Sequence, residues 1–94
     1  MAQPKQPRLL DGEDPGTIRP QDARHWIEVY AEMIAFKRTM LDQVTAALDG
    51  VSDEARMDLK GDVGLLEAQL RRYERRSEFW AKQIERLEMS YPVD

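Results

Sequence analysis

The chain has 94 residues, 41% apolar and 34% charged, with fourteen basic side chains against eighteen acidic ones and a net charge of −4. That describes one small domain with the polarity of long exposed helices, and the acidic balance argues against a general nucleic-acid binder, whose footprint is a basic excess. The absence of cysteine excludes disulfides, thiolate nucleophiles and cysteine-ligated zinc. No apolar run reaches signal-peptide length at the N-terminus, nor the ~20 residues that span a bilayer, so a cytoplasmic protein with no membrane association is expected.

Residues 1–19 carry Pro4, Pro7 and Pro15 together with Gly12 and Gly16, and no helical period. This composition predicts an irregular arm. Leu9, Leu10 and Ile18 are the points at which such an arm can be pinned to a helix.

Pro20 stands where proline favours opening a helix, with Asp22 in the first turn to complement the helix dipole. The predicted helix runs over 20–49, with Gly50 as its stop. Ile27, Ile34, Leu41 and Leu48 recur on one face, with Tyr30, Lys37 and Val44 between them. Trp26, Met33 and Met40 form a second row beside it, and Val29 and Phe36 widen the apolar face further. At 1.5 Å per residue, such a helix is roughly 45 Å long.

Ser52 is a suitable N-cap for a second helix over 52–91, with Asp53 and Glu54 in its first turn. Leu59, Val63, Leu66, Leu70, Tyr73, Ser77, Trp80, Ile84, Leu87 and Tyr91 alternate steps of four and three, the pattern of coiled-coil packing. Gly61 and Gly64 each cost about 1 kcal/mol inside a helix, and predict a weak point where the helix breaks or kinks. Pro92 ends it.

A turn confined to Gly50 and Val51 makes the helices antiparallel, with facing residue numbers summing to about 101. The fold class is therefore all-α: a long two-helix hairpin preceded by an irregular arm. The second helix outruns the first, so Ile84, Leu87 and Tyr91 need cover, which the arm is expected to supply through Leu9, Leu10 and Ile18. Trp26, Met33, Phe36 and Met40 lie outside the hairpin seam and make an apolar face larger than a soluble monomer tolerates. They are the predicted interaction surface. A homodimer closing this face as a four-helix bundle is the most economical assembly; a helix of another protein is the alternative partner.

Two other groups of residues invite chemistry. Asp22 and His25 have the carboxylate–histidine spacing of di-iron bundles, and a two-fold assembly would supply the second pair, with Glu28 or Glu78 bridging. An acid in a first helical turn and a surface histidine explain them as well, and no metal or other cofactor is expected. Arg71, Arg72, Arg75 and Arg76, with Lys82 and Arg86, make a basic stretch in an acidic chain. They form a candidate face for a nucleotide or nucleic acid, although nearby glutamates account for them as solvated ion pairs. The tip is acidic instead, with Asp49, Asp53, Glu54, Asp58, Asp62 and Glu67 against Arg56 and Lys60, a polarity able to direct docking. Catalytic triads and phosphate-binding glycine loops are absent. The sequence therefore reads as a non-enzymatic helical interaction module, an adaptor or small regulator, with anion or nucleic-acid binding through Arg71–Arg76 as the alternative function.

Overall fold

A computed structural model describes residues 8–90. Two helices, α1 (Pro20–Ala47) and α2 (Asp53–Ser90), pack against each other along an elongated hairpin, and no strand occurs among the described residues. Pro20 begins α1 after an extended Arg19, the placement that costs no backbone hydrogen bond. Before it, the Thr17 hydroxyl donates to Asp22 Oδ2 at 2.6 Å and accepts from the Arg19 amide at 3.2 Å. Thr17 thereby ties the end of the arm to the first turn of the helix.

The reversal between the helices is built differently from a helix stopped by glycine. Helix α1 gives way at Leu48–Gly50 to a 3-10 turn, and Val51 is extended. Gly50 does not adopt a positive φ; among the described residues only Gly12 does, at 83°. Ser52 caps α2, its Oγ accepting from the Ala55 amide at 3.3 Å. Arg56 reaches back so that its Nε donates to the Leu48 carbonyl at 3.1 Å, satisfying an acceptor that the end of α1 leaves free. Tyr30 meets Tyr73, their ring centroids 6.0 Å apart, close to the register of a tight turn. Arg24 meets Glu88 and Arg38 meets Glu74, each partner lying further along α2 than that register places it.

Helix α2 is uninterrupted at Gly61 and Gly64, contrary to the break expected there. A Cβ built on either glycine meets nothing within 4 Å, so neither residue is required by a close approach. The helix carries the local cost because its apolar seam continues through both positions, with Leu66 and Leu70 buried just beyond.

The core lies at the open end of the hairpin, away from the turn. Ala23, Tyr30, Tyr73, Trp80 and Leu87 form its buried cluster, with Leu10, Trp26, Ile27, Met33, Ile34, Phe79 and Ile84 packed around it. Of the apolar arm residues, Leu10 joins this cluster, whereas Ile18 is 66% exposed and Leu9 39% exposed. Of the three apolar arm residues expected to cover the end of α2, Leu10 alone packs against the cluster that holds Leu87. Tyr91 lies outside the described residues.

Candidate functional site

The arm is held by a buried carboxylate. Leu10 to Glu13 form a tight turn, closed by the Glu13 amide donating to the Leu10 carbonyl at 3.0 Å. Gly12 supplies the positive φ that an L-residue adopts only with strain. The turn points the Glu13 side chain into the hairpin, where none of its area is exposed. Oε1 accepts from the Tyr30 hydroxyl at 2.6 Å and from the Leu10 amide at 2.9 Å. Oε2 accepts from Trp80 Nε1 at 2.6 Å and from the Arg76 guanidinium, at 2.9 Å from Nη2 and 3.3 Å from Nε. The Arg76 guanidinium also lies over the Phe79 ring, 4.4 Å from its centroid.

These donors set the electrostatics of the site. Burial by itself pushes the Glu13 carboxyl up, but the hydrogen bonds from Tyr30, the Leu10 amide, Trp80 and Arg76 outweigh it and hold the pKa below the ordinary 4.5. Tyr30 is pushed up to about 12, by burial first and then by its hydrogen bond to the Glu13 carboxylate. The arrangement is a saturated ion pair. Every lone-pair direction of the carboxylate faces a donor, which is what a charge so far from water requires. A group held this way is structural; it has no free oxygen with which to move a proton on a substrate.

Sequence reasoning missed Glu13 and Thr17, both buried. In a proline- and glycine-containing segment, an acid gives no sign of being buried. The available signal lay on the other side: Arg76, Tyr30 and Trp80 occupy inward positions of the helices, where a buried guanidinium demands a counter-charge.

The predicted arginine face is divided by this arrangement. Arg76 is buried and committed to Glu13, an anion belonging to the chain itself. Arg72 is half-buried over the Tyr73 ring, 5.0 Å from its centroid. Arg71 and Arg75 are exposed. The four arginines do not converge on one point. Asp22 is engaged by Thr17, and His25 packs edge-on against Trp26 at 4.9 Å. Among the described residues no three His, Asp or Glu side chains come together as a metal ion requires, and no helix is long and apolar enough to cross a membrane.

The predicted interaction surface occupies one side of the hairpin. Met33 and Phe36 line a shallow depression with Glu32 and Lys37. A second depression continues it, bounded by Lys37, Met40 and Val44 on α1 and by Leu65, Leu66 and Gln69 on α2, with Asp62. Phe36 is 65% exposed and Leu65 61% exposed; Met33 and Met40 are half-buried. Trp26 and Met33 differ from Phe36 and Met40 in packing against the core cluster. Leu65 and Val44 belong to the same surface although sequence reasoning did not place them there.

The arm and these depressions share a groove. Lys37 follows Tyr30 by two helical turns on α1, and Gln69 precedes Arg76 by two turns on α2. The arm fills the groove beside Tyr30, Arg76 and Trp80 and leaves the stretch from Met33 to Val44 open. The Arg24–Glu88 and Arg38–Glu74 pairs bridge the opposite side of the helix–helix seam. Gln69 Oε1 is buried in the open stretch without a hydrogen-bond partner among the described residues.

Compared with models of protein families, with curated proteins and with solved structures, the chain matches none of them.

Proposed function

We propose that this chain is a non-enzymatic interaction module whose open half-groove receives a helix, either from a second copy, closing a four-helix bundle, or from another protein. The observation that supports this reading is the contrast along one groove. Its upper half is filled by the chain's own arm, while the lower half leaves Phe36 and Leu65 largely exposed beside Met33, Met40 and Val44. Exposed aromatic and aliphatic side chains arranged along two helices are the form in which a helix-in-groove site presents itself. Methionines on its wall adapt to the surface they meet.

The test is Phe36→Glu combined with Met40→Glu. Both side chains point away from the buried cluster, so the helical circular dichroism is expected to stay unchanged. The association of the chain in a native extract of its source cells, read as size on a calibrated column, is expected to fall to that of the free chain. Association that persists in the double variant rejects the groove as the docking surface.

A further inference from the structure

The pocket that holds Glu13 is built by the paired helices. Tyr30 from α1 and Arg76 and Trp80 from α2 are each buried over more than nine-tenths of their surface, and all three donate to one carboxylate. The group they hold is equally self-contained. The turn from Leu10 to Glu13 is closed by its own bonds, the Glu13 amide donating to the Leu10 carbonyl and the Leu10 amide to Glu13 Oε1. Its shape therefore belongs to the segment Leu-Asp-Gly-Glu, with Gly12 at a φ of 83°, and Leu10 packs against the apolar cluster that includes Tyr30 and Trp80. Beyond it, Asp14 to Thr17 form a second local turn, the Gly16 amide donating to Asp14 Oδ1 at 2.9 Å and the Thr17 amide to the Asp14 carbonyl at 3.2 Å. Thr17 is tied separately to Asp22.

A preformed turn seated by one leucine and one carboxylate in a pocket of converging donors has the construction of a peptide ligand on its receptor. We propose that the Tyr30–Arg76–Trp80 pocket is a binding site for an acidic peptide turn of the form Leu-x-x-Glu, and that the arm is its internal competitor. The site is separate from the open groove and does not depend on what docks there. The turn at residues 14–16 is the hinge, since rotation there lifts Leu10 and Glu13 while Thr17 stays on Asp22. An emptied pocket leaves the Arg76 guanidinium buried without a counter-charge, which is costly, so release of the arm is favoured where a second carboxylate takes the place of Glu13. This makes the pocket selective for charge: a glutamine in the same turn offers an acceptor but no anion. The tether sets the threshold. An arm held by a short linker acts as a ligand at an effective concentration on the order of millimolar, and a competing segment binds with its affinity reduced by the fraction of chains whose arm is away.

A peptide supplied in trans tests the site on the full chain. The probe is a fluorescent peptide with the sequence of residues 8–16, and its binding is followed by anisotropy to the wild-type chain and to Glu13→Ala, whose arm no longer carries the carboxylate. The peptide is expected to bind Glu13→Ala about tenfold or more tighter than wild type, because the internal competitor is disabled. The same peptide carrying Glu13→Gln is expected to bind about tenfold or more weaker, because it brings no charge to Arg76. Glu13→Gln in the full chain repeats the comparison in a variant that keeps more of its stability. A measurement on the wild-type chain is independent of any variant: the Trp80 indole N–H, sealed by Glu13, is expected to exchange with solvent by arm opening, ahead of the backbone amides of α1 and α2 around Tyr30 and Trp80. No binding to either variant, equal binding by the two peptides, or equal binding to wild type and variants overturns the site. A Trp80 indole that exchanges only with the helices overturns the arm as a displaceable competitor.

Discussion

A carboxylate on the irregular arm organises the better-packed half of this molecule. Glu13 brings a full negative charge into a space closed by Tyr30, Trp80 and Arg76. Replacing it by alanine leaves the Arg76 guanidinium without its counter-charge and an indole N–H and a phenol without their acceptor. Removing one partner of a buried ion pair costs about 3–5 kcal/mol, and release of the arm admits water that softens the loss. Glu13→Ala is therefore expected to lower unfolding stability by about 3 kcal/mol, measured by urea titration, and Glu13→Gln by less, since its amide still offers one acceptor. An unchanged midpoint would mean that the arm is not energetically coupled to the helices.

The same residues set the pH limits of the fold. The Glu13 pKa is depressed on folding, so its contribution is present above the ordinary carboxylate value and is lost as pH falls through the folded one. Tyr30 is raised to about 12 from 10.0, so its contribution is complete below 10.0 and is lost as pH rises toward about 12. Glu13→Gln should flatten the acid limb of the stability profile, and Tyr30→Phe the alkaline limb. Glu13→Gln should also move the Tyr30 titration, followed by its phenolate absorbance, to lower pH, because the Glu13 carboxylate is part of what raises it. A Tyr30 titration that does not move contradicts the assigned cause.

At the scale of the elements, the sequence was legible where periodicity carries the signal. The seam residues of α2, the proline that opens α1 and the serine before α2 all occupy places that local physics dictates. It misled where glycine was read by its average effect. Gly50 suggested the stop of a helix running to residue 49, yet α1 ends at Ala47 and the chain turns through a 3-10 segment; Gly61 and Gly64 suggested a break or kink, yet α2 is one helix through both. The arm was only half legible, because the leucine that packs and the glutamate that anchors it are selected by a pocket that exists only after the helices have paired.

Both helical glycines have open space where a Cβ would stand. Gly61→Ala and Gly64→Ala are each expected to stabilise the hairpin by about 1 kcal/mol, read from thermal or urea unfolding. If either change destabilises, the tip half of α2 is not helical in solution as described. The pair also offers a control for the docking account: Gly61 and Gly64 are exposed, so tightening α2 there should leave association intact.

Across the whole molecule, an extended hairpin of 62 × 40 × 18 Å has its buried cluster toward one end. Beside Tyr30 and Trp80 the arm completes the packing; beyond Met33 the two helices cover each other on one side only. Sequence reasoning placed Met33, Phe36 and Met40 on the open side because they exceed what one neighbouring helix can bury. It placed Trp26 there too, because nothing in the heptad pattern distinguishes an apolar residue packed against the core cluster from one left bare. Leu65 escaped notice for the converse reason, standing beside the seam of α2 in a row otherwise polar.

The claim that the open groove is where this protein meets its partner is tested most directly by side-resolved crosslinking. A photoreactive residue is introduced at position 36, in the groove, or at position 42, exposed on the other side of α1, and the cells that make the protein are irradiated. The account predicts one discrete adduct from position 36, lost on adding Met40→Glu, and none from position 42. Equal adducts from both positions, or an adduct from position 42 alone, would contradict it.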